Sequence, residues 1–73
     1  MIEIYGKPNC TFCERSKMLC DMKGVEYVYK ALDVDYTKEE LMSAIPSTHW
    51  SFPAIFIDGS FLGGFEDLKS KIG

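Results

Sequence analysis

The chain has 73 residues, of which 47% are hydrophobic and 14% aromatic, and it carries a net charge of −3. This length suits one domain over residues 1–73, because a chain of this size still buries about 60% of its unfolded surface when it folds. The acidic balance excludes the basic surface that holds nucleic acid or anionic lipid, so we expect neither a nucleic acid nor a membrane as a partner.

The first residues show no basic segment followed by an apolar run, and the sequence contains no stretch of membrane-spanning length. Three cysteines in a chain without a secretory signal are more typical of reduced or catalytic thiols than of a disulfide scaffold. We therefore expect a cytoplasmic protein. The pattern gives little sign of oligomerisation, so we also expect a monomer.

The first half of the chain predicts a strand, a helix and a second strand. Two isoleucines that alternate with polar residues indicate a strand over residues 1–5. Residues 11–23 should form a helix, because apolar and small side chains recur every three or four positions, and Gly24 is a typical stop signal. A strand follows over residues 25–30. Since a helix separates the two strands, they should lie parallel with a right-handed crossover.

The second half of the chain adds a short helix, a hairpin and a final helix. Thr37 and Glu40 form a capping-box pattern that begins a helix over residues 37–44. A strand is expected over residues 52–57, and an Asp-Gly pair after it predicts an antiparallel return over residues 60–62. Apolar residues three and four apart then indicate a helix over residues 65–72. The predicted architecture is α/β, in the order β-α-β-α-β-β-α.

Cys10 and Cys13 are separated by two residues at the predicted start of the first helix. A helix N-terminus carries about half a positive charge and unpaired N–H groups, both of which favour a thiolate, and Lys7 adds a positive charge. Thiols in Cys-X-X-Cys motifs so placed have pKa values between about 3.5 and 7.5 instead of about 8.5. We interpret Cys10 as the nucleophile and Cys13 as the thiol that resolves the mixed disulfide.

Other interpretations of the cysteine pair are weaker. A zinc or iron–sulfur site needs a second pair of ligands, and beyond the motif there are only Cys20 and His49, so we predict no metal site. A structural disulfide would close too short a loop to constrain the unfolded chain much. We interpret Cys20 as a buried core residue, with regulatory oxidation as the alternative. His49 is interpreted as a surface residue without a role in proton transfer, and Trp50 as a packing or rim residue.

Three blocks of the sequence together resemble the glutaredoxin branch of the thioredoxin-like fold. They are Cys10-Thr11-Phe12-Cys13 after a strand, Ser51-Phe52-Pro53 before a strand, and Gly63-Gly64 with Asp67 at the start of the last helix. Each block is weak alone, but their order and spacing are specific, and the resemblance covers nearly the whole chain. It implies a four-stranded mixed sheet flanked by helices, with Pro53 in a cis peptide bond facing the cysteines.

The resemblance also implies that glutathione binds in a groove between these blocks. The backbone of Phe52 would pair with the cysteinyl part of glutathione, and Pro53 would shape that segment. Gly64 would leave room for the γ-glutamyl carboxylate at the helix start, and Asp67 would bind the γ-glutamyl ammonium. Two further residues complete the implied groove, as a cation for the glycyl carboxylate and as an apolar wall: Lys7 and Phe12.

The activity that the resemblance implies is thiol–disulfide exchange with glutathione as the reductant and no bound cofactor. Cys10 would attack a protein disulfide or a glutathionylated protein, and two glutathiones would restore the dithiol. Disulfide proteins such as ribonucleotide reductase are the substrates that the family implies. Two alternatives remain: a thioredoxin-like electron donor reduced by thioredoxin reductase, and a dimeric carrier whose Cys10 residues, with two glutathiones, ligate a [2Fe–2S] cluster.

The chain departs from the family pattern near both halves of the groove. Glutaredoxins commonly have Cys-Pro-Tyr-Cys and Thr-Val-Pro, whereas this chain has Thr11 and Phe12 between the cysteines and Ser51 and Phe52 before the proline. Glu66 occupies a position where a small hydroxyl residue is usual. Its negative charge beside the γ-glutamyl carboxylate should weaken glutathione binding.

Overall fold

The computed structural model describes residues 1–49 and 52–73, which form one four-stranded sheet with helices on both faces. The strands are β1 (Ile2–Gly6), β2 (Tyr27–Ala31), β3 (Ala54–Ile57) and β4 (Ser60–Gly63). The helices are α1 (Thr11–Lys23), α2 (Lys38–Ala44) and α3 (Phe65–Ile72). The sheet order is β2-β1-β3-β4, with β1 parallel to β2 and the other two pairs antiparallel. The predicted element order and mixed sheet are thus confirmed.

The core on one face of the sheet lies beneath α1 and α3. Because side chains alternate along a strand, Ile2 and Ile4 of β1 point to this face together with Ile55 of β3. Cys20 and Leu68 cover them from the two helices, and each of the five residues is at most 5% exposed. Cys20 is therefore the buried core thiol that the sequence predicted, and its burial raises the pKa of that thiol.

The opposite face of the sheet packs against α2 and the segment before it. Leu41 of α2 meets Ala54 and Phe56 of β3, together with Tyr36. The Tyr36 hydroxyl donates a 2.7 Å hydrogen bond to the carbonyl of Gly6, at the end of β1. Burial raises the pKa of Tyr36 to about 12, so this hydroxyl stays protonated over the physiological range. The bond joins the end of β1 to Tyr36, which packs on the face of the sheet that α2 covers.

The predicted stop, cap and turn signals all appear at their expected positions. Gly24 ends α1 in the left-handed region, with a φ of 66°. The Thr37 hydroxyl accepts a hydrogen bond from the Glu40 amide, and the Glu40 carboxylate accepts one from the Thr37 amide, which completes the capping box. The pair Asp58 and Gly59, with φ of 50° and 84°, turns β3 back into β4.

Two predicted strand starts were wrong. β2 begins at Tyr27, two residues later than expected, because the amide of Val25 still bonds the carbonyl of Cys20 and closes the end of α1. β3 begins at Ala54 and not at residue 52, and the cis peptide bond between Phe52 and Pro53 precedes it. Among the described residues, no helix is both long and apolar enough to cross a membrane.

Candidate active site

Cys10 and Cys13 lie at the N-terminus of α1 and are joined by a disulfide, with their Cα atoms 5.2 Å apart. Cys10 is the N-cap residue, and its Sγ accepts a hydrogen bond of 3.2 Å from the amide of Cys13. Cys10 is partly exposed, whereas Cys13 is fully buried. An incoming molecule can therefore reach the outer sulfur, and a backbone N–H stands ready to stabilise negative charge on it.

The Tyr29 side chain of β2 packs closely on the last residue of β1, just before the loop that carries Cys10. The ring of Tyr29 lies so near the Cα of Gly6 that a Cβ at this position would overlap it. Asn9 then adopts a left-handed conformation with a φ of 57°, which asparagine tolerates better than most residues. Lys7 and Cys10, which lie on either side of Asn9 in this loop, both line one cleft.

The start of α3 is built around Asp67. Its carboxylate accepts a hydrogen bond of 3.1 Å from the amide of Gly64, which satisfies one free N–H at the helix N-terminus. Gly63 has a φ of 143°, and a Cβ there would meet the Asp67 carboxylate. The turn therefore requires glycine at position 63, whereas Gly64 contributes its amide and has room for a Cβ. Asp67 and Glu66 are exposed, so their charges face solvent and the neighbouring groove.

Five of the six predicted glutathione-binding residues line one groove of about 400 Å³. They are Phe12, Phe52, Pro53, Gly64 and Asp67. Glu66, the residue that departs from the family pattern, lines the same groove. Its negative charge therefore acts on any charged group that enters the groove. Ser51 and Trp50, which belong to the predicted proline block and its surroundings, lie outside the described residues.

Lys7, the sixth predicted residue, lines an adjoining cavity of about 490 Å³ instead. The two cavities share Phe52 and His49, so they form neighbouring parts of one depression. The Lys7 ammonium lies 5.2 Å from the centre of the Phe52 ring, within range of a cation–π contact. Lys38, the first residue of α2, lines the same cavity and adds a second cation that the sequence reading missed.

Phe12 stands where α1 meets α3, at the apolar side of the groove. Its ring is 45% exposed and lies 5.6 Å, centre to centre, from the ring of Phe65. The Arg15 guanidinium lies 5.1 Å from the centre of the Phe12 ring on another side. An aromatic residue between the cysteines therefore forms a wall of the groove, and its contact with glutathione stays a prediction.

The interpretation of His49 as a surface residue was wrong. His49 is partly buried and lines both cavities, with its ring 5.0 Å from that of Phe61 in an edge-on arrangement. Its amide bonds the carbonyl of Pro46, and this turn brings the imidazole against the β3–β4 hairpin. The Nε2 atom is buried and has no hydrogen-bond partner within residues 1–49 and 52–73. The loop between Pro46 and Pro53 has no periodic pattern of apolar residues. The sequence therefore gave no signal that His49 packs against Phe61.

Within the part of the chain that the structure describes, no three His, Cys, Asp or Glu residues cluster closely enough to hold a metal ion.

Comparison with known proteins gives one consistent result. Residues 2–62 match the family model described as Glutaredoxin. A probable glutaredoxin of Synechocystis sp. is 40% identical over 72 residues, which are 99% of this chain and 82% of that protein. Glutaredoxin 3 of Escherichia coli K12 is 39% identical over 67 residues, covering 92% of this chain and 80% of that protein.

Solved structures agree with the sequence matches. The structure of reduced Escherichia coli glutaredoxin superimposes with a TM-score of 0.80 at 26% identity, over 97% of this chain and 91% of that one. The buckwheat glutaredoxin–glutathione complex gives a TM-score of 0.79 at 26% identity, over 96% of this chain and 66% of that one. The fold of this chain is therefore that of a thioredoxin-like protein with a Cys-X-X-Cys site.

Proposed function

Because the chain belongs to the glutaredoxin family of thiol–disulfide oxidoreductases, we propose that it reduces protein disulfides and glutathione mixed disulfides with glutathione as its reductant. The observation that carries the proposal is the cysteine pair at the start of α1, with an accessible outer sulfur and a buried inner one. The groove beside the pair supports glutathione as the second reactant. The family relationship, not the groove alone, makes this the leading hypothesis.

In the first step, the Cys10 thiolate attacks one sulfur of a substrate disulfide. The substrate S–S bond breaks, a new disulfide joins Cys10 to that sulfur, and the other substrate sulfur leaves as a thiolate that takes up a proton. The amide of Cys13, 3.2 Å from the Cys10 Sγ in the oxidised protein, donates toward the charge that makes Cys10 nucleophilic. The thiolate form is the reactive one, so this contact favours the reaction.

In the second step, Cys13 resolves the mixed disulfide. Its thiolate attacks the Cys10 Sγ, the bound substrate leaves as its thiolate, and the Cys10–Cys13 disulfide forms. Because Cys13 is fully buried, Cys10 is the sulfur that it can reach. Two molecules of glutathione then supply two electrons, and the products are the dithiol protein and glutathione disulfide. When the substrate is a glutathione mixed disulfide, one glutathione can replace Cys13.

The groove offers a partner for each polar end of glutathione. One Asp67 oxygen bonds the Gly64 amide, and the carboxylate retains acceptor capacity for the γ-glutamyl ammonium. Free N–H groups in the first turn of α3 suit the γ-glutamyl carboxylate. Phe52 would present backbone groups to the cysteinyl part, beside Pro53. The glycyl carboxylate would extend into the adjoining cavity toward Lys7 and Lys38.

Glu66 favours a second candidate function. Its carboxylate lines the groove next to the start of α3, where it repels the γ-glutamyl carboxylate. If this repulsion prevails, glutathione will bind poorly and the dithiol would instead be reduced by a thioredoxin reductase. We rank this second because Gly64 and Asp67 retain the arrangement that binds glutathione in our interpretation.

We propose a single-domain monomer that acts in the cytoplasm, where the glutathione pool is reducing enough to regenerate a glutaredoxin. No bound cofactor is needed for the exchange described above. Ribonucleotide reductase is one disulfide protein that the family implies as a substrate.

The test is turnover of a small glutathione mixed disulfide, measured once with glutathione and glutathione reductase and once with thioredoxin reductase and NADPH. We expect activity in the first system. Asp67→Asn should raise KM several-fold there, whereas Glu39→Gln removes an exposed charge from α2, outside the groove, and serves as the matched control. Activity in the thioredoxin reductase system alone would contradict glutathione dependence and withdraw the groove assignment.

A further inference from the structure

A second cleft opens on the β2 side of Cys10. It has a volume of about 560 Å³ and is lined by Lys7, Cys10, Glu14, Tyr29 and Ala31, among others. The glutathione groove is lined by residues of α1, α3 and the proline segment and includes neither cysteine. Cys10 thus lines this cleft. Of the other residues that line the cleft, only Lys7 takes part in the proposed binding of glutathione.

The charged side chains that line this cleft are those of Lys7 and Glu14. The Glu14 carboxylate is paired with the Lys17 ammonium at 2.7 Å, and that ammonium lies 4.2 Å from the centre of the Tyr29 ring. The Lys17 ammonium therefore offsets part of the Glu14 charge. Lys7 remains as a cation, and the Tyr29 hydroxyl is protonated at neutral pH, so it can donate a hydrogen bond. Such walls suit carbonyl and carboxylate oxygens.

We propose that this cleft binds the polypeptide segment beside the attacked cysteine of a protein disulfide, and that it prefers a segment with a carboxylate next to that cysteine. The proposal rests on the dithiol exchange of the proposed function. The segment in the cleft carries the sulfur that becomes joined to Cys10, and it leaves as a thiol when Cys13 attacks. No electrons beyond those of that exchange are required.

The difference between the two depressions argues for different occupants. Glutathione has a free ammonium beside a carboxylate, and the groove at α3 offers the exposed Asp67 carboxylate to that ammonium. In the β2 cleft the charge of Glu14 is offset by the Lys17 ammonium, whereas the Asp67 carboxylate bonds a neutral amide, so Glu14 attracts a free ammonium less than Asp67 does. An internal peptide segment has no such ammonium. Its carbonyl groups and an acidic side chain match the Tyr29 hydroxyl and Lys7.

The test uses two cyclic peptides, each closed by one disulfide, with both cysteines flanked by Asp in one peptide and by Lys in the other. Reduced protein is mixed with each peptide in a single turnover without glutathione, and the peptide dithiol is quantified after acid quench. We expect the Asp peptide to react about fivefold faster at low ionic strength, with the difference shrinking as salt is added. Equal rates for the two peptides would overturn the proposal.

Two variants with matched controls identify the cleft itself. Ala31→Glu places a negative charge on its wall and should abolish or reverse the preference for Asp, whereas Val28→Glu adds the same charge to an exposed position of β2 outside the cleft. Tyr29→Phe removes the donor and should slow both peptides about three- to tenfold. Tyr27→Phe removes a hydroxyl from the same strand outside the cleft and is its control.

The outcomes separate this proposal from the glutathione proposal. The same variants are assayed with a small glutathione mixed disulfide, for which Ala31→Glu should change kcat/KM far less than it changes the peptide rates. If Val28→Glu shifts the peptide preference as much as Ala31→Glu does, the cleft is not the binding surface. Failure of recycling by glutathione, with the peptide preference intact, would refute the glutathione proposal alone.

Discussion

The amide of Cys13 points at the Sγ of Cys10, with the nitrogen and sulfur 3.2 Å apart. This contact exists because Cys10 is the N-cap of α1 and Cys13 is its third residue, the spacing at which an N-cap side chain meets a free N–H group. The two-residue spacing of the motif therefore does two things at once. It puts a second thiol within reach of the first, and it directs a backbone dipole at the first sulfur.

The roles of the two cysteines can be separated by substitution. Cys10→Ser should lower turnover of a small glutathione mixed disulfide by at least about a thousandfold, because no other accessible thiol can attack. Cys13→Ser should keep much of that turnover, since glutathione can resolve the mixed disulfide, but should lose reduction of protein disulfides by the dithiol route. The measurement is steady-state turnover with each substrate class. Retained activity in Cys10→Ser would refute the mechanism.

Removing the charge of Glu66 should improve glutathione binding while slightly weakening α3. Glu66→Gln eliminates the repulsion of the γ-glutamyl carboxylate, so KM for the glutathione mixed disulfide should fall about two- to fivefold at low salt. A negative charge in the first turn of a helix is itself stabilising by about 0.3–1 kcal/mol, so the variant should unfold slightly more easily. Kinetics at low and high salt, with urea unfolding, measure both effects. An unchanged KM would show that the charge is screened.

Gly63 should tolerate substitution less well than Gly24, although both have positive φ. Gly63→Ala adds backbone strain and drives a Cβ into the carboxylate of Asp67, which displaces the cap of α3, so we expect a loss of about 2–4 kcal/mol. Gly24→Ala meets open space and should cost about 1–2 kcal/mol from the conformation alone. Urea unfolding of both variants tests this. Equal losses would mean that the Asp67 contact contributes nothing.

Tyr36 makes the stability depend on alkaline pH. Burial raises its pKa from 10.0 to about 12 in the folded state, so the unfolded chain loses this proton first as the pH rises. The stabilisation is fully present below pH 10 and disappears as the pH rises toward about 12. Tyr36→Phe should lose about 1 kcal/mol at pH 7, because the bond to Gly6 is gone.

Between pH 10 and 12, the Tyr36→Phe variant should lose stability less steeply than the parent protein, since the other tyrosines titrate in both. Urea unfolding at a series of alkaline pH values measures the two slopes. Identical slopes would show that the folded state does not hold Tyr36 protonated.

Elements with local sequence signals could be predicted before the fold was known. A stop at Gly24, a capping box from Thr37 to Glu40 and an Asp-Gly turn act through hydrogen bonds and φ angles of neighbouring residues, and all three appear as predicted. These elements then restrict the topology of the sheet. Two strands joined through a helix lie parallel, and two strands joined by a tight turn lie antiparallel. The strand starts near residues 25 and 52 were misjudged, since a helix end and a cis-proline segment occupy residues that look strand-like.

Which side chains share a cavity depends on tertiary packing, which local sequence patterns do not encode. The packing of Tyr29 on Gly6, the half-buried His49 and the cation of Lys38 beside Lys7 depend on residues far apart in sequence, and no periodic pattern encodes them. Local propensity specifies where a helix begins, so it also located Cys10 and Cys13. The depressions on either side of that helix start form where β2, α3 and the segment before β3 come close to it. These contacts join residues far apart in sequence and exist only in the folded chain.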